Sequence, residues 1–260
     1  MSETMSQAAP PRPEVNRLDM GDLRAALAAG WQDFRRAAGL DLVLALPFVL
    51  GGLFMLWQVA VTGGHWWVVV LALGFPLFGP FAAAAYYDVS RHLERGERPS
   101  LGSAVRLMIG ESRRQVPSMA MVLILVLMFW VFIAHLIFAL FLGVSTLTNI
   151  TSSLDVLLSA RGLTMLAVGT AVGAVLSFVV FASTVTGLPA IVDQDVDVIT
   201  AMITSWQVVL NNPGPMLAWG LLVAVILGLA MLPAFLGLFI ALPLLGHGTW
   251  WLYHRAVSWR

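Results

Sequence analysis

The feature that most constrains this chain is a set of six long apolar segments that contain almost no charged side chains. They cover residues 42–61, 66–87, 118–144, 163–188, 216–231 and 235–253. About 20 helical residues cross the roughly 30 Å hydrocarbon core of a bilayer. With 59% hydrophobic and 11% charged residues, the chain has more apolar side chain than a water-soluble core of 260 residues can bury. We therefore predict six transmembrane helices.

Three shorter amphipathic segments lie before alternate apolar segments. They begin near residues 22, 101 and 198. We therefore predict an all-α membrane protein with six transmembrane helices arranged as three hairpins, each preceded by an interfacial amphipathic helix. The recurrence also indicates a threefold internal repeat. Coincidence is the alternative, because Pro and Gly are common in membrane helices.

The first amphipathic segment shows the pattern most clearly. Its apolar face consists of Leu23, Leu27, Trp31 and Phe34. Asp33 falls among the polar residues of the other face, and a Gly at position 39 is expected to end the helix before the first span.

Acidic residues precede the third amphipathic segment at Asp193, Asp195 and Asp197. Asp195 or Asp197 is suited to cap the helix that begins near residue 198. A cation site is the other interpretation, but no glycine-centred loop or bidentate Glu follows. We assign no metal ligand.

The remaining organisation follows from composition and charge. Residues 1–17 are polar and rich in Pro, which predicts a disordered cytoplasmic tail before a six-helix domain at residues 18–257. Basic residues are all arginine, as is typical of a GC-rich bacterial genome. If both termini are cytoplasmic, every arginine except Arg161 lies on the cytoplasmic side. We therefore expect a multi-pass protein of the bacterial inner membrane.

His135 and His247 are the strongly ionisable side chains that lie deep in the apolar segments. Such residues are functional candidates because their burial in lipid is costly. Haem ligation by both is disfavoured, since their positions in the spans put them roughly 10 Å apart along the membrane normal. A neutral imidazole that bonds to a neighbouring helix is the simpler interpretation for each.

Two further sets of residues have predicted structural roles. Trp31, Trp206 and Trp250 are predicted to anchor helix ends in the headgroup region. A stripe of small residues in the fourth span is predicted to pack against another helix, within the chain or in a partner, and consists of Gly169, Gly173 and Ser177.

No motif for catalysis is apparent, whether a phosphate-binding loop, a zinc-protease motif, a dinucleotide fingerprint or a convincing Ser/His/Asp set. We expect no enzyme activity and no cofactor. A net charge of zero offers no attraction to nucleic acid. The expected partners are the lipid bilayer and either another membrane protein or a second copy of the chain.

Two main functional hypotheses follow. A non-enzymatic scaffold or accessory subunit of a membrane complex ranks first. A small-solute transporter or channel is the alternative, with a site between broken helices at residues 74–80 and 243–248. A haem enzyme that depends on His135 and His247 ranks last.

Several short motifs carry a family resemblance: LPAIVD at residues 188–193, TSW at 204–206, Asn-Pro at 212–213 and PLLGH at 243–247. With these motifs the chain, from about residue 18 onward, resembles the bacterial integral-membrane family catalogued as domain of unknown function 2189. The resemblance implies a six-span inner-membrane protein without an established activity. It assigns no catalytic or binding residue.

Overall fold

The computed structural model describes residues 12–62, 66–111, 113–143, 158–194 and 196–260, and of these it leaves only the side chains of residues 62–77 undescribed. The elements of this part of the chain are, in order, β1 (Pro13–Val15), α1 (Met20–Thr62), α2 (Trp66–Glu94), α3 (Leu101–Glu111), α4 (Val116–Leu142), α5 (Ala160–Thr184), α6 (Gly187–Gln194), α7 (Val198–Asn211), α8 (Pro213–Met231), α9 (Leu238–Ala256) and β2 (Val257–Trp259). The predicted all-α membrane class fits these elements, which add one short sheet.

Helix α1 contains both the first amphipathic segment and the first span. The predicted break between the amphipathic segment and the first span is present, but it lies at Ala37 and not at Gly39, because the backbone leaves helical geometry at Ala37 (φ −116°, ψ 15°) and then resumes it. A single helical glycine costs about 1 kcal/mol relative to Ala. That cost is a weak signal for the exact position of a helix end, and the interruption lies two residues earlier.

The buried face of α1 consists largely of small residues. Ala26, Gly30, Ala37 and Ala45 recur on this face at intervals of four to eight residues. A Cβ atom built on Gly30 would lie 2.6 Å from the backbone nitrogen of Gly248 in α9. Because neither residue has a side chain, the backbones of α1 and α9 approach closely, and these two helices form the most extensive contact in the described chain.

Helices α2 and α9 are continuous through their prolines. The predicted broken helices at residues 74–80 and 243–248 are therefore wrong, since both segments lie inside unbroken helices. Membrane helices tolerate an internal proline such as Pro243 because neighbouring groups and small local adjustments satisfy the carbonyl that it leaves free.

The two ends of the described chain meet in a small antiparallel sheet. Pro13 pairs with Trp259, and Val15 pairs with Val257. The prediction of a disordered tail over residues 1–17 is thus wrong for residues 12–17, whereas residues 1–11 lie outside the described residues. The sequence concealed this strand because three residues are too few for a period-2 pattern. The pairing of β1 with β2 thus brings the two ends of the described chain together.

Four helical segments in the described part of the chain are long and apolar enough to span a membrane: Met20–Val61, Val116–Leu142, Ala160–Gln194 and Pro213–Met231. The predicted second span lies in α2, where many side chains are outside the described residues. The predicted sixth span, α9, is not among these four, since its polar residues lower its hydropathy, and several of them take part in the site described below. The short helices α3 and α7 precede α4 and α8, as the amphipathic segments at residues 101 and 198 predict.

Candidate functional site

His247 is fully buried at the centre of the contact between α1, α2 and α9. Its two neighbours in sequence are glycines that let the other helices come close. A Cβ atom on Gly246 would lie 2.8 Å from Cβ of Tyr86 in α2, and one on Gly248 would lie 3.1 Å from the Trp219 ring. The Gly-His-Gly sequence therefore holds the imidazole between tightly packed helices.

The imidazole joins two carboxylates through a chain of short polar contacts. Its Nε2 lies 3.0 Å from Asp41 Oδ2, and its Nδ1 lies 2.8 Å from Ser90 Oγ. Ser90 donates its hydroxyl proton to Asp33 Oδ2 at 2.9 Å. Trp251 Nε1 donates to the same oxygen at 2.7 Å. We call this set the Asp-His-Ser-Asp network. Its members have relative exposures of 3% for Asp33 and 0% for Asp41, Ser90 and His247.

The donors and acceptors of this network fix where its protons lie. Ser90 has one proton and donates it to Asp33, so its oxygen accepts from His247 Nδ1–H. A single proton then lies between His247 Nε2 and Asp41 Oδ2, on the imidazole or on the carboxyl group. In both arrangements the network carries a net charge of −1. Two helix pairs, α1 with α9 and α1 with α2, are thereby joined by charge-assisted hydrogen bonds.

The order Ser90, His247, Asp41 has the connectivity of a serine-hydrolase triad, but its surroundings do not suit that chemistry. A nucleophile must reach a substrate carbonyl and lie beside oxyanion donors. Ser90 is fully buried, and its hydroxyl already donates to a second carboxylate. The arrangement is therefore suited to join helices and to hold a proton inside the protein.

An apolar cavity of about 310 Å³ lies beside the network. Phe48, Tyr86, Phe181 and Trp219 are among the side chains that line it. The Tyr86 ring also packs edge-on against the His247 ring, with centroids 5.6 Å apart. Within the described residues, the Tyr86 hydroxyl and the Trp219 indole nitrogen have no hydrogen-bond partner. Two side chains that line this mostly apolar cavity thus have a polar atom without a partner among the described residues.

His135, the other histidine predicted to be functional, takes no part in the Asp-His-Ser-Asp network. It lies exposed on the outer face of α4, and its Nδ1–H donates to the Val131 carbonyl at 2.7 Å. That bond leaves Nε2 as an acceptor, without a partner among the described residues. The two histidines are therefore not brought together, and haem ligation by both has no geometric support.

The three predicted tryptophan anchors have different surroundings. Trp31 is exposed, as an interfacial anchor requires. Trp206 is half-buried, and its indole N–H donates to Ser183 Oγ at 3.1 Å. Trp250 is fully buried and stacks on Tyr87 at 5.9 Å, so the prediction that it anchors the interface is wrong. Its position near a span end is compatible with an anchor, but α9 lies inside the bundle, where this ring meets other helices.

The predicted small-residue stripe of α5 makes one close helix contact. A Cβ atom on Gly173 would lie 3.2 Å from the Trp130 ring of α4, within the chain. In the part of the chain that the structure describes, no atom of another helix lies within 4 Å of the corresponding point on Gly169, and Ser177 is exposed. The stripe thus lets one large ring of α4 pack against α5.

The acidic residues before α7 have local structural roles. Asp197 caps α7, as predicted, because its Oδ1 accepts from the backbone N–H groups of Ile199 and Thr200 at 3.0 Å. Asp193 accepts a hydrogen bond from the Tyr253 hydroxyl at 2.9 Å. Asp195 lies outside the described residues. Among those that are described, no group of three or more His, Asp or Glu side chains is placed to hold a metal ion.

Sequence reasoning missed three of the four network residues. Asp33 appeared to lie on a polar face, Asp41 at the edge of the first span, and Ser90 within a polar interval. A signal was present in α1, because Asp33 and Asp41 continue the buried series of Ala26, Gly30 and Ala37. A helix face of small residues indicates close helix packing. Carboxylates on such a face need partners from the neighbouring helix.

One family model matches this chain. The family described as predicted integral membrane protein (DUF2189) matches residues 68–193, which confirms the family resemblance over that segment. The match is shorter than predicted, since it omits α1 and everything after α6. No curated protein and no solved structure matches the chain.

Proposed function

We propose that this chain is a six-crossing protein of the bacterial inner membrane, with both ends in the cytoplasm, and that it serves as a non-enzymatic scaffold or accessory subunit. In this role it packs its α4 surface against a helix of a partner membrane protein. The partner supplies the hydrogen-bond donor that His135 lacks.

The proposal of six crossings rests on the helix lengths and on the paired ends. The four apolar helices together with α2 and α9 give six. The β1–β2 pairing supports an even number, because it brings the two ends together. The distribution of arginine supports a cytoplasmic location for both ends.

Reporter fusions test this topology. Fusions that end at residue 98 should report the cytoplasm, and fusions that end at residue 155 should report the opposite side. Reporters that place both positions on one side would contradict the six-crossing arrangement.

The single observation that carries the accessory role is the outward-facing His135. Large apolar side chains surround it on the same face of α4, at Met121, Leu125, Phe132, Leu136 and Leu140. Phe132 and Leu140 are 70% and 73% exposed. Lipid chains can cover the apolar residues, but they offer no donor to an imidazole nitrogen. A partner helix with a Ser, Thr, Asn or Trp donor would both cover the apolar residues and donate a hydrogen bond to the imidazole nitrogen.

The enclosure of the Asp-His-Ser-Asp network supports a role without catalysis. Its most reactive groups bond to one another and have no exposed surface. They hold three helices in a fixed arrangement, which suits a protein that presents a rigid surface to a partner.

Extraction from native membranes in a lipid-retaining copolymer tests the accessory role. The unmodified protein should carry a stoichiometric partner, and His135→Leu should reduce its recovery severalfold. Leu221→Ala, at a residue 67% exposed on α8, is the matched control and should retain the partner. A solitary monomer, or equal recovery with both variants, would contradict the proposal.

The cavity favours the transporter hypothesis as a second candidate. Its volume of about 310 Å³ suits a small solute, and Tyr86 and Trp219 provide two polar contacts. Its mostly apolar wall suits an apolar or weakly polar solute. Uptake of such solutes into proteoliposomes, compared with the Ala82→Leu variant that would narrow the cavity, tests this candidate.

A further inference from the structure

A second concavity, of about 390 Å³, lies between the end of α2 and helix α3. In contrast to the cavity beside His247, charged side chains dominate its lining. The ones that matter here are Asp88, Arg91, Arg106, Glu111 and Arg114. We call it the α2–α3 pocket.

Two buried carboxylates in this pocket each have one oxygen without a donor. Asp88 is 2% exposed, and its Oδ1 accepts from Arg91 at 2.8 Å. Glu111 is 1% exposed, and its Oε1 accepts from Arg114 at 2.9 Å. Asp88 Oδ2 and Glu111 Oε2 have no hydrogen-bond partner among the described residues. A buried acceptor without a donor is costly, so each oxygen requires a donor from outside this part of the chain.

The pKa of Glu111 also indicates that this carboxylate lacks a donor. Burial raises it above its ordinary value, and Arg114 and Arg91 lower it only in part. The carboxylate therefore has less stabilisation than its burial demands. A ligand with a hydrogen-bond donor or a positive charge would supply the missing stabilisation of the carboxylate.

The same pocket has an excess of positive charge. Its three arginines outnumber its two carboxylates, which leaves a charge of +1 with His92 neutral. Arg106 is exposed and forms no ion pair with a described residue. Guanidinium groups bind phosphate oxygens with matched geometry. The pocket is therefore suited to one anionic phosphate group beside a hydrogen-bond donor.

Its position is that of a membrane interface. It follows directly after the apolar part of α2, which ends at residue 87. The other face of α3 exposes Leu101, Val105 and Ile109, one helical turn apart. An amphipathic helix with such a face lies in the headgroup region with its apolar side toward the acyl chains.

We propose that the α2–α3 pocket binds the headgroup of a phospholipid in which a phosphodiester is followed by a hydrogen-bond donor, as in phosphatidylethanolamine and phosphatidylglycerol. The arginines bind the phosphate oxygens. Asp88 Oδ2 and Glu111 Oε2 accept from the ammonium group of ethanolamine or from the hydroxyl groups of glycerol. Phosphatidylcholine has the same phosphate but no N–H or O–H donor, so it is the matched control lipid.

Native mass spectrometry of the full-length protein in detergent tests this proposal with lipids of identical acyl chains. One molecule of the ethanolamine or glycerol lipid should bind, and phosphatidylcholine should bind roughly tenfold more weakly. Whichever of the ethanolamine and glycerol lipids binds more tightly has the preferred headgroup. Equal binding of all three lipids would overturn the proposal.

Variants connect the bound lipid to the pocket. Arg106→Gln should weaken the binding of all three lipids. Asp88→Asn should reduce the preference over phosphatidylcholine, because the amide replaces one acceptor oxygen with a donor. Arg95→Gln removes an exposed arginine outside the pocket. It should change neither the affinity for the lipids nor the preference over phosphatidylcholine. If Arg95→Gln weakens lipid binding as much as Arg106→Gln does, the binding depends only on general surface charge and the proposal fails. If a pocket variant does not fold, the lipid comparison with the unmodified protein still decides.

Discussion

Asp41 and His247 are the residues on which the buried network depends most, because each is the other's main electrostatic partner. Both are fully buried, with 3.0 Å between Asp41 Oδ2 and His247 Nε2. Asp41 Oδ1 has no hydrogen-bond partner among the described residues, so loss of the imidazole would leave the whole carboxylate unsatisfied.

We therefore predict that His247→Leu lowers the free energy of unfolding by about 3–5 kcal/mol, because it leaves a buried carboxyl group without its partner. Thermal unfolding in detergent would measure the change. The double variant with Asp41→Leu should recover part of the loss, since it also removes the stranded carboxylate. His135→Leu is the control and should leave stability nearly unchanged, because that histidine is exposed.

The cap of α7 gives a prediction for pH dependence. The Thr200 hydroxyl donates to Asp197 Oδ2 at 2.6 Å, and this bond, with those from backbone N–H groups, lowers the pKa of Asp197 below its ordinary 3.8. A lowered pKa means that the charged cap stabilises the fold above pH 3.8 and that this contribution is lost as the pH falls through the lowered value.

Asp197→Ala should accordingly cost about 1 kcal/mol near neutral pH. The difference from the unmodified protein should shrink in strongly acidic buffer, as measured by melting temperature in detergent. Thr200→Val retains the carboxylate and loses one donor, so it should show a smaller cost. A difference that does not depend on pH would show that the charge on Asp197 has no part in the cap.

At the level of elements, the contact between α1 and α9 depends on glycine. A Cβ atom on Gly30 would meet backbone atoms of Gly248 at 2.6 and 2.9 Å. Backbone atoms cannot rotate away as a flexible side chain can, so the two helices must separate to admit a methyl group.

We predict that Gly30→Ala destabilises the protein by about 1–3 kcal/mol through overpacking. Gly39→Ala on the same helix is the matched control, since among the described residues no atom beyond its own stretch of helix lies within 4 Å of its Cβ position. That change should stabilise the protein by roughly 0.5–1 kcal/mol, because Ala loses less backbone entropy in a helix. Chemical denaturation of both variants would compare them, and a loss of equal size in both would contradict the packing argument.

At the level of the whole molecule, the β1–β2 sheet joins the two ends of the chain. Arg12 and Arg260 exchange both backbone hydrogen bonds, and Asn16 N–H donates to the Ala256 carbonyl. Antiparallel pairs alternate between bonded and non-bonded, so Pro13 occupies a non-bonded position, where its missing N–H is not needed.

Because the chain contains no cysteine, an introduced pair can report this sheet without interference. Glu14 and Ser258 face each other directly, so Glu14→Cys with Ser258→Cys should form an intramolecular disulfide under mild oxidation. A mobility shift in a non-reducing gel would show it. The control pair Glu14→Cys with Trp259→Cys should form much less, since neighbouring residues on a strand point to opposite faces. Equal yields from both pairs would argue against the sheet.

Much of the architecture could be predicted because it depends on local sequence. The lengths of the apolar segments predicted helices that are long enough to span a membrane. The Asp at position 197 predicted a helix cap, which the structure confirms. The positions of α3 and α7 also followed from apolar periodicity. The break after the first amphipathic helix was predicted two residues too late, because a glycine by itself is a weak signal for the exact position of a helix end.

The candidate site was only partly predictable, for a different physical reason. His247 was identified because an ionisable side chain in an apolar segment is conspicuous. Asp33 and Ser90 lie in polar stretches, where a buried role leaves no mark in composition. Trp250 was assigned to the interface from its place near a span end, whereas the packing of α9 inside the bundle buries it.

By itself the sequence determined that this protein belongs in a bilayer, since no other environment accepts so much uncharged apolar chain, and it determined the approximate limits of the helices. Only the tertiary structure decided which faces of those helices meet. That decision made His247 and Asp41 partners across 206 positions of sequence and left His135 facing outward. Hydropathy is a property of a local segment, whereas the pairing of buried charges depends on how small residues such as Gly30 and Gly248 allow distant helices to approach.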